Sequence, residues 1–210
     1  MLNKISGSSL NEHNTRVNEV LKRLENYNIK VKPEKCVFCV QKLPYLGHLV
    51  SKNGIMPLKD KVQAVLECPE PKNTNELQSW IGLINYYAKF ILNLSSIISP
   101  LSGLLKWDTK YAWNDECQQA FDKSKLALSA DTCLVFYNPS LPIILTTDAS
   151  INGLGAVLSH TYTDGSERPI MFASRSLTNA EKNYSQLERE GLAIIYGCKK
   201  FRKYIYGRDF

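Results

Sequence analysis

The spacing of apolar residues changes between Lys106 and Asp131, and that change limits the folds this chain can adopt. In the helical region before Lys106, apolar side chains recur every three or four residues, as at Leu77, Ile81 and Ile84, which is the spacing of a helix face. After Asp131, short β-branched runs are separated by turn residues instead. Helices followed by strands predict two structural units, with a boundary between these two positions.

Capping patterns mark the starts of the predicted helices. Ser9 and Glu12 have the spacing of a capping box, and Asn73 with Glu76 opens a second long helix. Apolar residues behind the first cap share one helix face and predict a stripe that packs on the core: Val17, Val20, Leu21 and Leu24. Shorter helices are predicted at 61–66, 96–105 and 115–128.

Short strands are predicted on both sides of the helical region. Residues 36–50 predict two strands joined near Lys42-Leu43-Pro44, with Tyr45-Leu46-Gly47-His48 on the second, followed by a turn at Asn53-Gly54. Thr163-Asp-Gly-Ser166 is typical of a hairpin turn. Further strands are predicted at 134–136, 143–147, 154–159 and 170–173, and a final helix at 185–206.

Bulk composition limits function only loosely. The chain has 210 residues, a net charge of +6 and a pI near 8.9, which suits a phosphate-rich partner without requiring one. No apolar run approaches the ~18 residues of a membrane span, and the first residues lack a signal peptide. An intracellular location, in cytoplasm or nucleus, is therefore expected rather than secretion or membrane association.

Two possible metal-binding patterns are weak. Cys36 and Cys39 form a C-x-x-C, but no second pair follows at zinc-site spacing, so we expect two thiols on a half-buried strand. His160 has no partner at metal-ligand spacing and is expected at the surface.

Asp148 and Glu190 form the strongest candidate site. Asp148 ends an apolar strand, and Glu190 lies on the amphipathic helix that follows. Carboxylates that converge from different elements are the ligands that Mg²⁺ requires. The alternatives are an Asp that caps a turn and a Glu on a solvated helix face.

Glu190 competes with Glu188 for the ligand position. We take six residues as the packed face of the helix, because steps of three and four residues stay on one side: Leu187, Gly191, Ile194, Cys198, Phe201 and Ile205. Glu190 lies three residues after Leu187 and four before Ile194, so it is predicted to point toward the sheet. Glu188 is rotated away and suits a capping box with the residue three positions before it.

A series of short segments occurs in a fixed order along the chain. They are Glu34-Lys-Cys-Val-Phe38, Tyr45–Gly54, Leu77–Tyr87, Trp113–Phe121, Thr147-Asp-Ala-Ser150 with Gly153–Leu158, Ala173-Ser-Arg-Ser-Leu177, and Tyr184-Ser185 with Glu190–Ala193. In this order they resemble the Pol polyprotein of Gypsy-type long-terminal-repeat retrotransposons, over nearly the whole chain. The resemblance implies an α+β fold: a reverse transcriptase palm remnant and helical thumb, followed by a partial ribonuclease H-like mixed sheet with helix.

The resemblance also implies a division of the chain and a set of roles. Residues 1–56 would be the C-terminal end of the palm with its primer-grip hairpin, 57–106 the helical thumb, 107–140 a connecting helix and strand, and 141–210 a partial ribonuclease H-like domain. Asp148 and Glu190 would be catalytic and would bind Mg²⁺. The residues implied to bind an RNA–DNA hybrid or a primer–template duplex are Tyr45, Gly47, His48, Gly82, Asn85 and Tyr86. For the helical residues the alternative is helix–helix packing, and for the others a plain hairpin.

The parent activities implied are RNA-directed DNA polymerase, a nucleotidyltransferase, and an endonuclease that hydrolyses RNA in hybrids. The family's Tyr-x-Asp-Asp turn precedes the segment where this sequence begins, and its further ribonuclease H carboxylates follow Phe210. The chain alone is therefore expected to be inactive, with the rest of a Pol polyprotein as a possible partner. The alternatives are a non-catalytic nucleic-acid-binding module derived from such an element, and a decayed copy with no selected function.

Overall fold

The structure, a computed structural model, describes residues 4–210, so the first three residues of the predicted palm segment lie outside it. Its helices are α1 Leu10–Asn26, α2 Lys59–Leu66, α3 Thr74–Tyr86, α4 Leu94–Ile97, α5 Ser99–Gly103, α6 Asp115–Ser129 and α7 Gln186–Ile205. Its strands are β1 Lys42–Tyr45, β2 His48–Ser51, β3 Gly54–Pro57, β4 Ile143–Ala149, β5 Gly153–Thr161 and β6 Glu167–Ser176. The predicted α+β class is confirmed. Over residues 4–210, no helix has both the length and the apolar character needed to cross a membrane.

The strands form two antiparallel sheets, β1-β2-β3 and β4-β5-β6. A mixed sheet was predicted for the ribonuclease H-like part, but β4, β5 and β6 run antiparallel. Tight turns join each of these strands to the next, including the expected turn at Asp164-Gly165. The strand predicted at 134–136 is reduced to one bridge, in which Leu134 pairs with Ile55 of β3. That bridge ties the first sheet to the chain leading into the second.

The first hairpin differs from its prediction. Lys42-Leu43-Pro44 lies within β1 rather than at a turn, and the turn falls at Leu46-Gly47. Leu46 has φ 45° and Gly47 has φ 71°, which is the pair of positive values that a two-residue hairpin loop needs. Cys36 and Cys39 lie before β1 in irregular chain, not on a strand. The turn before Gly54 is where it was predicted.

Helix α1 begins as predicted, but its apolar stripe does not reach a core. The Ser9 side chain accepts from the Glu12 backbone N–H at 3.2 Å. None of the residues of α1 is buried, and Leu21 is 40% exposed. The predicted core-facing stripe is therefore wrong, because an amphipathic pattern defines a face but does not supply an element to cover it.

The β4-β5-β6 sheet lies between two layers. On one face it packs on α7 through a cluster of Ile143, Ala156, Leu158, Phe201 and Ile205. On the other face Phe172 of β6 packs against the helical core. That core is built around buried residues of α3, α5 and α6: Leu77, Trp80, Ile84, Leu101 and Phe121. The sheet is thus covered by α7 on one side and by the helical region on the other.

The predicted packed face of α7 is confirmed toward the end of the helix, where Phe201 and Ile205 are buried, but it is wrong near the start. Leu187 is 83% exposed and Ile194 is 55% exposed, whereas Ala193 and Gly197 are buried. A Cβ at Gly197 would lie 2.8 Å from Cγ2 of Thr147 on β4. Small residues therefore set the face, because they let the helix backbone approach the sheet more closely than the larger apolar residues would.

His160 was expected at the surface, and that expectation is wrong. The side chain is fully buried and stacks on Tyr137, with ring centroids 5.6 Å apart. Its Nε2 accepts from the Asn138 backbone N–H at 2.8 Å, so Nδ1 carries the proton and donates to the Pro142 carbonyl at 2.9 Å. His160 ties the loop before β4 to β5, and no metal role is needed to explain it.

Candidate functional site

Asp148 is the sixth residue of β4 and pairs with Gly155 of β5. Side chains alternate along a strand, and the neighbouring Thr147 faces α7, so the Asp148 carboxylate lies on the opposite face. There its Oδ2 accepts from Nδ2 of Asn93, at 3.0 Å. Asp148 is otherwise exposed, which leaves its remaining lone pairs free for a cation or a donor.

Glu190 lies in the second turn of α7, on the stripe that continues through Ala193 and Gly197. It is half-buried, and its Oε1 accepts from Nε2 of Gln186 at 2.6 Å. The same Gln186 nitrogen lies 3.3 Å from the carbonyl oxygen of Ala149. The Gln186 amide therefore links the Glu190 carboxylate to the backbone of Ala149, the residue that follows Asp148. Glu188 caps the helix in a capping box with Ser185, as predicted.

Both carboxylates thus lie at the same end of β4, one on each face of the sheet. Because β4 is the edge strand of its sheet, a cation that both residues bind would lie beside that edge, where the two faces meet. Each carboxylate is held by a side-chain amide and retains oxygen lone pairs, which are the donors a hard cation prefers. No group of three or more His, Cys, Asp or Glu side chains that could hold a metal is present among residues 4–210. Mg²⁺ usually keeps several waters and binds through one or two carboxylates plus substrate phosphates. The two carboxylates therefore fit a Mg²⁺ site that waters and substrate phosphates complete, rather than one built from protein ligands alone.

The residues of the predicted nucleic-acid site come from the first hairpin and the end of α3. Tyr45 and His48 pair across the two-residue turn that contains Gly47. Tyr86 donates its hydroxyl to the carbonyl of Leu46 at the tip of that turn. A Cβ at Gly47 would lie 3.2 Å from the same hydroxyl, so a glycine permits this close docking.

The His48 ring is enclosed by aromatic side chains. It stacks on Tyr86, with centroids 5.3 Å apart and planes 7° apart, and it meets Tyr87 edge-on. Burial lowers the pKa of His48, and the nearby Lys89 ammonium lowers it further. His48 is therefore neutral at pH 7 and holds the hairpin against α3.

The outer face of α3 is open. Gly82 has no heavy atom within 4 Å of the position a Cβ would take, and Asn85 is exposed. Tyr86 is 50% exposed although its hydroxyl is bonded. Within residues 4–210 no other helix packs on Gly82, so the helix–helix packing alternative does not apply to this residue.

The sequence pattern did not reveal the two amides that hold the carboxylates, Asn93 and Gln186. Asn93 precedes the four-residue α4 and is 55 residues away from Asp148, so no local periodicity connects them. One signal was present: Gly153 and Gly155 stand two residues apart on β5, and glycine inside a strand often marks a close approach of other chain.

Comparison with known proteins agrees with this geometry. Residues 113–210 match the RNase H-like domain found in reverse transcriptase. This part of the chain is therefore a reverse transcriptase RNase H-like domain.

The longer relatives are retrotransposon polyproteins. The chain is 39% identical over 207 residues to the retrovirus-related Pol polyprotein from transposon 297 of Drosophila melanogaster, and 35% identical over 201 residues to the transposon Tf2-3 polyprotein of Schizosaccharomyces pombe. These alignments cover 98% and 96% of the chain but only 19% and 15% of the relatives. These relatives are Gypsy-type retrotransposon Pol polyproteins, so the predicted resemblance is confirmed.

Two solved structures share the fold. The foamy viral protease-reverse transcriptase dRH in complex with double-stranded DNA superposes with a TM-score of 0.83 and 23% identity, over 96% of this chain and 36% of that one. The foamy viral protease-reverse transcriptase in complex with RNA/DNA hybrid gives 0.80 and 24%, over 96% and 27%.

Proposed function

We propose that this chain is the part of a retrotransposon reverse transcriptase–ribonuclease H that holds an RNA–DNA hybrid or primer–template duplex and presents two metal-binding carboxylates to it. The division at residues 56, 106 and 140 into palm end, thumb, connection and ribonuclease H-like domain belongs to this proposal. The observation that carries it is the approach of Asp148 and Glu190 to one end of β4, inside a domain of the RNase H-like family.

Asp148 and Glu190 would hold Mg²⁺ through their free oxygens. When bound, Mg²⁺ supplies charge stabilisation for the attack of water on an RNA phosphodiester. Gln186 keeps the Glu190 carboxylate against the strand end, which restricts its orientation. The two carboxylates also repel phosphates when no cation is present, so hybrid affinity at this site would depend on the divalent ion.

The open face of α3 and the docked hairpin would contact the duplex. Gly82, Asn85 and Tyr86 offer small, amide and aromatic groups, which suit contacts with a duplex that do not read its sequence. The net charge of +6 favours a polyanion. Two of the fold's relatives were solved with double-stranded DNA and with RNA/DNA hybrid, which supports a duplex as the ligand.

A second candidate function is duplex binding without chemistry. The observation that favours it is that only two candidate carboxylates lie at the strand end, and no third His, Cys, Asp or Glu among residues 4–210 is grouped with them. For this reason the 210-residue chain, assayed alone, is expected not to cleave a labelled hybrid in Mg²⁺. Robust cleavage that disappears in Asp148→Asn would contradict this expectation.

Hybrid affinity with and without Mg²⁺ separates the two functions. We would measure it by fluorescence anisotropy at constant ionic strength, for the natural chain and for Asp148→Asn and Glu190→Gln. The metal-site proposal predicts that Mg²⁺ tightens binding by the natural chain and that each substitution removes this response. It also predicts that each substitution tightens binding in EDTA, because one negative charge facing the phosphates is lost.

The alternative predicts that all three proteins bind equally with or without Mg²⁺, with affinity falling steeply as salt rises. Affinity that stays flat from low to moderate salt would count against both functions, since each relies on phosphate contacts.

A further inference from the structure

The contact between the helical region and the β4-β5-β6 sheet is polar where it reaches Asp148. The Ser95 backbone N–H donates to Oγ of Ser174 at 2.9 Å, and the hydroxyls of Ser96 and Ser150 lie 2.9 Å apart. Asn93, directly before α4, adds the bond to Asp148. This contact region, formed by residues 93–96 against β4, β5 and β6, is called the seam below.

Asn93 adopts a backbone conformation suited to this contact. Its φ of 51° and ψ of 33° lie in the left-handed region, which asparagine tolerates better than most residues. Here it ends the preceding irregular chain and starts α4, and its side chain extends over the sheet toward β4. A residue in this conformation keeps its position only when the surrounding contacts hold it.

The sheet is shaped to receive the Asn93 amide. A Cβ at Gly155 would lie 1.7 Å from Oδ1 of Asn93, and one at Gly153 would lie 2.7 Å from Oγ of Ser95. Gly155 is the residue paired with Asp148. Any larger residue there would displace the amide from the carboxylate, so the absence of a side chain at Gly155 is what allows the bond.

We propose that Asn93 is a positioning residue for Asp148: its amide fixes one carboxylate oxygen so that the other remains directed toward a divalent cation. This inference rests on the proposed metal site. A neutral amide donor orients a carboxylate without neutralising it, and metal-binding carboxylates commonly have such a partner. Asn93 precedes α4 and Asp148 lies on β4, so their bond forms only where the helical region and the sheet pack together at the seam.

Metal binding to the whole 210-residue chain tests the inference without an activity assay. Mn²⁺ would be titrated into ¹⁵N-labelled protein, and the paramagnetic broadening of amide signals beside Asp148 and Glu190 would be followed. Two substitutions remove the bond in different ways. Asn93→Gly keeps the left-handed backbone and deletes the amide, whereas Gly155→Ala leaves the amide intact but occupies its place.

Ser96→Ala is the matched control, because it removes another hydrogen bond of the seam without touching the carboxylate. We expect the Mn²⁺ concentration for half-maximal broadening to rise by about tenfold or more in Asn93→Gly and Gly155→Ala. We expect no change in Ser96→Ala. Dispersed amide spectra confirm that each variant is folded.

The outcomes distinguish this inference from the proposed function. Broadening that depends on Asp148 but is the same in the natural chain, Asn93→Gly and Gly155→Ala would overturn the role of Asn93 alone. A tenfold loss in Ser96→Ala as well would assign the effect to the seam in general and would also overturn it. Broadening that is unchanged in Asp148→Asn would remove the metal site, and both claims with it.

Discussion

Single polar residues in this protein are placed by the hydrogen bonds available to them rather than by their average preference for the surface. His160 is fully buried because a backbone N–H and a backbone carbonyl bond both of its ring nitrogens. A lone histidine in the sequence gives no sign of this, since both partners are backbone groups of distant residues.

His160→Leu is expected to destabilise the fold by about 2–4 kcal/mol, because it leaves a buried donor and a buried acceptor unpaired. Urea unfolding at pH 7 measures the change. The exposed Lys123→Ala on α6 serves as control and should shift the unfolding free energy by less than about 0.5 kcal/mol. A loss for His160→Leu as small as the control's would show that the two bonds are not formed in solution.

Glu181 is a single residue whose pKa is changed by its hydrogen-bond partners. Arg175 donates two hydrogen bonds to its carboxylate, at 2.7 and 2.9 Å, and the Thr178 backbone N–H donates a third at 2.8 Å. The Arg175 bonds first, and then the Thr178 bond, lower the pKa of Glu181 from 4.5 to about 2. The folded state therefore favours the charged form more than the unfolded chain does.

Because folding lowers this pKa, the ionised Glu181 stabilises the fold fully above pH 4.5. This stabilisation is lost as the pH falls toward about 2. Glu181→Gln should cost about 1 kcal/mol at pH 7, less than the full pKa shift implies, because the Arg175 side chain is 34% exposed. The difference from the natural chain should shrink between pH 4.5 and 2 in urea unfolding. A difference that is constant over that range would contradict the ion pair.

At the scale of elements, the sequence predicts where a helix or strand lies better than which way it faces. Helices α3 and α7 begin at predicted caps, and the bounds of α6 and α7 agree with their predictions within one residue. The packed face of α7 was predicted correctly at Phe201 and Ile205. It was wrong in the first half of the helix, because close backbone approach favoured Ala193 and Gly197 over larger apolar residues. The turn of the first hairpin was predicted too early in the chain, because Lys42-Leu43-Pro44 resembles a turn. The positive φ values are at Leu46-Gly47.

Helix α3 provides a test of the proposed duplex face. Gly82→Leu should leave the fold intact, because there is open space at this position and leucine is a better helix former than glycine. It should weaken hybrid binding roughly tenfold, or about 1.4 kcal/mol, if the duplex approaches this face closely.

Gly103→Leu makes the same change on α5, where a Cβ also meets nothing within 4 Å, and should leave affinity unchanged. Anisotropy titrations with a labelled hybrid give both values. Equal affinities for the two variants and the natural chain would place the duplex elsewhere.

At the scale of the whole molecule, the arrangement depends on contacts that no local pattern contains. The identities of Asp148 and Glu190 followed from the order of motifs, and the strand and helix that carry them were predicted. The side-chain amides that hold these two carboxylates were not predicted. Asn93, for example, reaches Asp148 only after the helical region has packed on the sheet. The paired glycines of β5 were the one local sign of that packing.

The central claim is that Asp148 and Glu190 bind one divalent cation together. The most direct test is a crystal of this chain grown with Mn²⁺ and an RNA–DNA hybrid, measured by anomalous diffraction. The account predicts an anomalous peak within about 2.5 Å of a carboxylate oxygen of each residue. A peak bound to only one of them, or no peak at this end of β4 while the hybrid is in place, would contradict it.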